Sequence, residues 1–323
     1  VIDIWSQVDW IRPGYLGDKW TFLDQYTTQE IIKLKPQYDA NGDLLKAKEF
    51  KQQTGYKNLN ELYEKLKPLY IRRLKKDVLD LPPKIYETRE VKLKPQQQKL
   101  YDRMKEDMKI MIEGMDAREL QFKAPTLLVQ LLRLSQIADG FITDPLVDGV
   151  TWLSENAKLS CIDELVDELT LEDNKCVIWS RFVPMVKKLY ERYKEKYNAV
   201  YITGSVKMDD RADMIDKFQN DPTSKVFIGQ IQSGGIGITL TAANYEIFVD
   251  KAFLSPSYIL QAEDRCHRIS QTKTVVIISI VAKNTVDEKW ESLIKEKRKV
   301  AEHLLGDIDP TKLAKKDFLE LLN

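Results

Sequence analysis

Residues 225–250 read "KVFIGQIQSGGIGITLTAANYEIFVD". Two short apolar runs, Val226–Gln230 and Tyr245–Asp250, flank a stretch that carries Gly234, Gly235 and Gly237. Short apolar runs without polar alternation are the mark of strands buried on both faces. The rhythm continues outward. Toward the N-terminus come "KLSCIDELVDEL" as a helix, "KCVIWS" as a strand, "VPMVKKLYERYKEKY" as a helix, "AVYITG" as a strand and "MDDRADMIDKFQN" as a helix. Toward the C-terminus, "GIGITLTAA" reads as a loop into a helix, "SPSYILQAEDRCHRI" as a helix and "TVVIISIVA" as a strand. Apolar strands alternating with helices predict an α/β fold, a parallel sheet with helices on both faces. In such a sheet the loops after "VIWS", "YITG", "FIGQ" and "IFVD" share the carboxyl edge, where ligands bind.

The first half has another texture. Residues 1 to about 80 carry Trp5, Trp10, Tyr15, Trp20, Phe22 and Tyr26, then a polar stretch, and read as helices joined by turns. "KPLYIRRLKKDVLDLPPK" holds Arg72, Arg73, Lys75 and Lys76 and closes on Pro82-Pro83, which stops regular structure and marks a hinge. Between Lys94 and Phe141, helical spacing of Leu100, Met104, Met108 and Met111, then Leu127, Leu128, Leu131, Leu132 and Leu134, predicts helices broken near Gly114 and Pro125.

Composition narrows the function classes. The chain has 323 residues, and no apolar run in it approaches the roughly 20 needed to cross a bilayer. The expectation is a protein without a membrane partner, intracellular in cytoplasm or nucleus. Cys161, Cys176 and Cys266 are scattered and His267 and His303 lie far apart, so neither a disulfide framework nor a metal site is expected. Lys and Arg number 50 against 50 Asp and Glu, so any contact with nucleic acid must come from local patches.

Local chemistry points to anions. The cluster of Gly234, Gly235 and Gly237 allows backbone N–H groups to approach a phosphate, or serves a tight turn. Ser180 and Arg181 follow one strand, and Thr203, Gly204 and Ser205 follow another; they suit a sugar-phosphate backbone or an ordinary strand-to-helix turn. In "QAEDRCHRIS", residues 261–270, Arg265 and Arg268 stand three apart and would share a helix face. Adjacent guanidiniums repel unless they share an anion, a triphosphate above all, or acids such as Glu263 and Asp264 compensate them.

Together, "VIWSRF", "YITGSVKMDDRADMIDKFQ", "QSGGIGITLTAANYEIFVD" and "QAEDRCHRISQTKTVVIISIVAKNTVDEKW" resemble motifs four to six of the second RecA-like lobe in the Swi/Snf family of superfamily-two DNA translocases. "YIRRLKKDVLDLPPK" resembles the segment joining that family's lobes, and "IWSQVDWIRPGYLGDKWTFLDQY" resembles the end of its first lobe. The resemblance implies four regions: the end of the first lobe over 1–80, a helical linker and protrusion over 81–157, the second RecA-like lobe over 158–285 and a helical brace over 286–323.

Roles follow from the same resemblance. Arg265 and Arg268 match the fingers that reach the γ-phosphate of ATP, with Arg268 foremost. Gln261 and Asp264 would orient them, with Gly235 and Gly237 beside the nucleotide and His267 packing between the fingers. Ser180, Arg181, Thr203, Gly204, Ser205, Ser233 and Gly234 would hold the backbone of double-stranded DNA. ATP and Mg²⁺ would be bound mainly by the N-terminal RecA-like lobe of the same protein. Departures are Gln230 to Ser233 where many members have Ser-Thr-Arg-Ala, Leu254-Ser255 in place of Trp-Asn, and Ser270 in place of Gly. None of the 13 glycines is followed by Lys, so the 323 residues contain no G-x-x-x-x-G-K-[ST] phosphate loop. The expectation is part of an ATP-driven double-stranded-DNA translocase that hydrolyses ATP negligibly by itself. The rivals are a non-enzymatic DNA-binding or scaffold module on the same fold, and an RNA helicase of the superfamily.

Overall fold

The computed structural model describes residues 2–33, 37–38, 44–45, 49–69, 79–115, 117–144, 149–171, 173–234 and 237–301. The hinge residues Arg72, Arg73, Lys75 and Lys76, the glycine Gly235 and residues 302–323 of the expected brace lie outside them. The described residues form two compact units, one over those within 1–78 and the other over those within 79–299.

The first unit contains α1 (Ile2–Ile11), α2 (Lys19–Tyr26), β1 (Thr27–Lys33), β2 (Gln37–Tyr38), β3 (Leu44–Leu45), β4 (Glu49–Tyr56) and α3 (Leu59–Leu66). The Asp18 side chain caps α2 by accepting from the N–H groups of Trp20 and Thr21. Phe22, Tyr26 and Leu62 form a small core. The expectation of helices joined by turns holds only for α1, α2 and α3, because β1 and β4 pair antiparallel between them. "EFKQQTGY" offers no apolar alternation, so pairing with a distant strand decided its conformation.

The second unit opens with β5 (Lys84–Val91), α4 (Pro95–Glu113), α5 (Ala117–Ala138), the hairpin of β6 (Phe141–Asp144) and β7 (Gly149–Trp152), and α6 (Ala157–Thr170). It continues with β8 (Cys176–Ser180), α7 (Val183–Tyr193), β9 (Val200–Ile202), α8 (Met208–Asn220), β10 (Val226–Gln230), the single turn α9 (Ile231–Gly234), β11 (Tyr245–Phe248), α10 (Pro256–Glu263), β12 (Val275–Ala282) and α11 (Val286–Ala301). Six strands form one sheet in the order β5-β12-β11-β8-β10-β9, every neighbouring pair parallel. This is the α/β architecture that the alternation predicts, and it agrees with the RecA-like lobe that the resemblance implies. Successive residues of a strand feed opposite faces: Cys176 and Ile178 enter one core, Val177 and Trp179 the other.

Four local expectations need correction. The region 81–157 is not wholly helical, since β5 opens it and joins the sheet along its full length against β12. "KIYETREV" is an edge strand whose side chains are mostly exposed, so no apolar run announced it. Pro125 lies inside α5 without breaking it. The buried row of Leu127, Leu131, Leu134 and Ile137 holds that helix, and tertiary packing overrides the local cost of proline. No helix follows the glycines; the helical turn α9 precedes Gly235 and Gly237. Finally α10 ends at Glu263, with Asp264 as its cap, so Arg265 and Arg268 stand beyond the helix.

Lys158, fully buried at the start of α6, fastens these layers together. Its ammonium donates to Asp139 after α5 at 2.7 Å and to the Val249 carbonyl after β11 at 2.9 Å, and pairs with Asp287 of α11 at 2.6 Å. The two carboxylates hold the Lys158 pKa above its ordinary value against the opposing effect of burial.

Candidate functional site

The sheet presents two unlike edges. At the carboxyl edge, the loops after β8, β9, β10 and β11 lie side by side. The Ser180 hydroxyl donates to Asp250 Oδ2 at 2.5 Å, and the Arg181 N–H donates to Asp250 Oδ1 at 3.1 Å. Burial raises the Asp250 pKa, opposed by the Ser180 hydroxyl and the Lys158 charge. The Gln230 amide ties three loops: its Oε1 accepts from Gly204 N at 3.3 Å and Ser233 Oγ at 2.9 Å, and its Nε2 donates to the Arg181 carbonyl at 3.5 Å. Arg211 of α8 donates to the carbonyls of Thr203 at 3.1 Å and Val206 at 2.9 Å, which fixes the turn after β9.

This geometry divides the residues singled out for DNA. Ser180 and Thr203 are fully buried. Arg181 donates Nη1 to the Ala252 carbonyl at 2.6 Å and stacks on Phe253 at 5.0 Å from the ring centre. These three shape the edge from within. Gly204 and Ser205 are exposed and Ser233 is half-buried, so they can meet a ligand directly. Gly234 ends α9.

The arginines lie at the opposite edge, where the strands begin. Helix α10 runs back from the carboxyl edge, and the Arg265 carbonyl accepts from Leu240 N at 2.9 Å, just ahead of β11. Arg265 donates Nε to the Gln261 carbonyl at 3.0 Å and Nη1 to the Ile238 carbonyl at 3.4 Å. Arg268 donates Nη1 to Thr239 Oγ1 at 2.9 Å. The two guanidiniums thus meet the same stretch of the glycine loop despite the early end of α10. Burial and then the Arg268 charge lower the Arg265 pKa, while Asp264 opposes them. Among the described residues neither arginine has a carboxylate within ion-pair distance. Gly237 is exposed and adopts a φ of +73°, a left-handed conformation open to glycine without steric cost.

The acids expected to compensate the arginines have another partner. Glu263 and Asp264 each lie 3.2 Å from Lys84 Nζ at the start of β5, and Tyr86 donates to Glu263 at 2.9 Å. His267 Nε2 sits 2.8 Å from the Pro82 carbonyl, and so packs against the chain before β5 instead of between the arginines. Sequence reasoning missed Lys84, Tyr86 and Asp250 as parts of these sites, and met Gln230 only as a departure from the family's pattern. Asp250 closing an apolar strand was the one visible signal. Among the described residues no group of three or more His, Cys, Asp or Glu side chains is placed to hold a metal ion. No helix among them is long and apolar enough to cross a membrane.

Known proteins match along the chain. The family described as SNF2-related domain matches residues 1–139, and the one described as Helicase conserved C-terminal domain matches residues 157–270. An uncharacterised ATP-dependent helicase of Mycoplasma genitalium is 28% identical over 99% of this chain, which covers 28% of that protein. The TATA-binding protein-associated factor MOT1 of Saccharomyces cerevisiae is 26% identical over 100% of the chain, which covers 19% of it. The chain therefore spans a minor part of these relatives' length. Among solved structures, the Sulfolobus solfataricus SWI2/SNF2 ATPase core in complex with double-stranded DNA aligns with a TM-score of 0.60 and 26% identity, over 99% of this chain and 63% of that one. The C-terminal part of the Fun30 ATPase domain aligns with a TM-score of 0.57 and 23% identity, over 75% of this chain and 96% of that one, a likeness of fold. With a parallel RecA-like sheet, a helicase C-terminal match across it and an SNF2-related match ahead of it, the chain belongs to the Swi/Snf family of superfamily-two ATPases.

Proposed function

We propose that the chain supplies the second RecA-like lobe of an ATP-driven double-stranded-DNA translocase, with Arg265 and Arg268 as the groups that stabilise the γ-phosphate. The observation that carries this reading is the pair of guanidiniums on one loop with their neighbouring acids drawn away to Lys84. Such a pair is poised for an external polyanion. In phosphoryl transfer, charge builds on the γ-phosphate oxygens, and a well-placed arginine is worth roughly 10³- to 10⁵-fold in rate. Gln261, exposed one turn before Arg265, completes the polar face that a triphosphate would meet. Gly204, Ser205 and Ser233 would hold DNA phosphates at the other edge, with Ser180, Arg181 and Thr203 keeping those loops in shape. Contacts of this kind set position without reading bases.

The sequence has no phosphate loop, so turnover requires the lobe that carries one, and these 323 residues alone should hydrolyse ATP negligibly. Phosphate release from ATP is to be measured on the chain joined to its phosphate-loop lobe, with and without duplex DNA, beside Arg268→Ala. The expected outcome is DNA-stimulated turnover that the substitution lowers by about 10³-fold while nucleotide still binds. DNA binding without any DNA-stimulated turnover would establish the scaffold reading instead, and stimulation by RNA alone would establish an RNA helicase.

A further inference from the structure

Residues 261–271 face three ways. Toward the core, Ala262 and Cys266 are fully buried, and Gln271 donates to the carbonyls of Ala243, Thr241 and Cys266 at 2.8, 3.2 and 3.2 Å. Toward the glycine loop point Arg265 and Arg268. The third face belongs to Glu263, Asp264 and His267, and all three engage one short stretch, residues 82–86.

That stretch is where the polypeptide enters the second unit, which begins at Leu79 and starts its first strand at Lys84. Glu263 is fully buried, and a carboxylate out of water is tolerated only when paired. Lys84 and the Tyr86 hydroxyl supply that pairing. The carboxylates also lift the Lys84 pKa above its ordinary value, although burial works in the other direction. Strand β5 does not depend on this contact for its place, because eight residue pairs hold it to β12. What the contact adds is a fixed relation between the entering chain and the backbone from which the arginines hang.

We infer that Lys84 and Glu263 are positioning residues for the arginine pair, a strap through which the entry of the chain into the second unit sets where Arg265 and Arg268 point. The inference rests on the function proposed above. Glu263 and Asp264 precede Arg265 directly, and His267 precedes Arg268, so each arginine has an anchored neighbour. A shift of residues 82–86 must displace the guanidiniums with it.

The test is steady-state ATP turnover at saturating duplex DNA by the chain joined to its phosphate-loop lobe, in Lys84→Met, Lys84→Arg, Tyr86→Phe and Arg268→Ala forms. Misplaced arginines lower kcat, so Lys84→Met should lose about tenfold to hundredfold, with KM for ATP within about twofold of the parent. Lys84→Arg, which keeps the charge and its reach, should restore most of the loss. Tyr86→Phe removes one hydrogen bond at an exposed side chain and should lower kcat about threefold. Full turnover in Lys84→Met beside an inactive Arg268→Ala overturns the strap and leaves the arginine assignment standing. Full turnover in Arg268→Ala overturns both. If Lys84→Met fails to fold, unchanged kcat in Tyr86→Phe overturns the strap.

Discussion

Ser270 adopts a φ of +89°, at the position where the Swi/Snf resemblance places glycine. A side chain in left-handed backbone costs roughly 1 to 2 kcal/mol, and glycine gives back part of that gain through its greater freedom when unfolded, about 0.5 to 1 kcal/mol. The Ser270 hydroxyl lies 3.2 Å from that of Thr241, an exposed contact of small net value. Ser270→Gly should therefore stabilise the chain by up to about 1 kcal/mol, read as a higher urea midpoint at unchanged slope. A lower midpoint would mean that the Thr241 contact outweighs the backbone strain. The arginine pair was legible in the sequence, but the helical spacing used to join its members was not the true cause. They converge because both reach residues 238–239 of the glycine loop. The acids beside them were misassigned because their partner, Lys84, is 179 residues away from Glu263, beyond the reach of any local spacing argument.

Among the elements, β8, β10, β11 and β12 were legible because burial on both faces leaves an unbroken apolar run. The exception inside that run is Glu246 on β11, fully buried and accepting from the Trp179 indole at 2.8 Å. Burial pushes its pKa well above the ordinary 4.5, more than the Trp179 hydrogen bond offsets. The folded chain then binds this proton more tightly than the unfolded chain does. The resulting stability is complete below the unfolded pKa and is lost as pH rises toward the folded one, with a slope of at most about 1.4 kcal/mol per pH unit. Glu246→Gln keeps the acceptor for Trp179 and removes the titration. Urea midpoints should fall less steeply as pH rises above the ordinary carboxylate range in this variant than in the parent. Equal slopes would show that Glu246 does not titrate in this range. Strands β1, β4 and β5 were hidden for the opposite reason: their sequences are polar, and pairing alone makes them strands.

For the whole molecule, 50 basic residues balance 50 acidic ones, so no net field draws DNA to it. The accessible groups at the carboxyl edge, exposed Gly204 and Ser205 and half-buried Ser233, are neutral, and Arg181 is engaged internally. Neutral donors release no counterions. The logarithm of the DNA association constant should therefore change little with the logarithm of salt concentration, at a slope of magnitude below about 1, measured by titration at several salt levels. A slope near 10 would place the grip on basic residues elsewhere and remove it from this edge. The sheet carries one more consequence. Were its strands antiparallel, strand beginnings and strand ends would alternate along both rims, and each rim would hold loops of both kinds. With all six strands parallel, no two-fold rotation in the plane of the sheet can exchange its ends. The architecture is a vector: its tail holds the arginines, its head holds the serine-lined loops, and strand direction alone keeps the two groups at opposite ends.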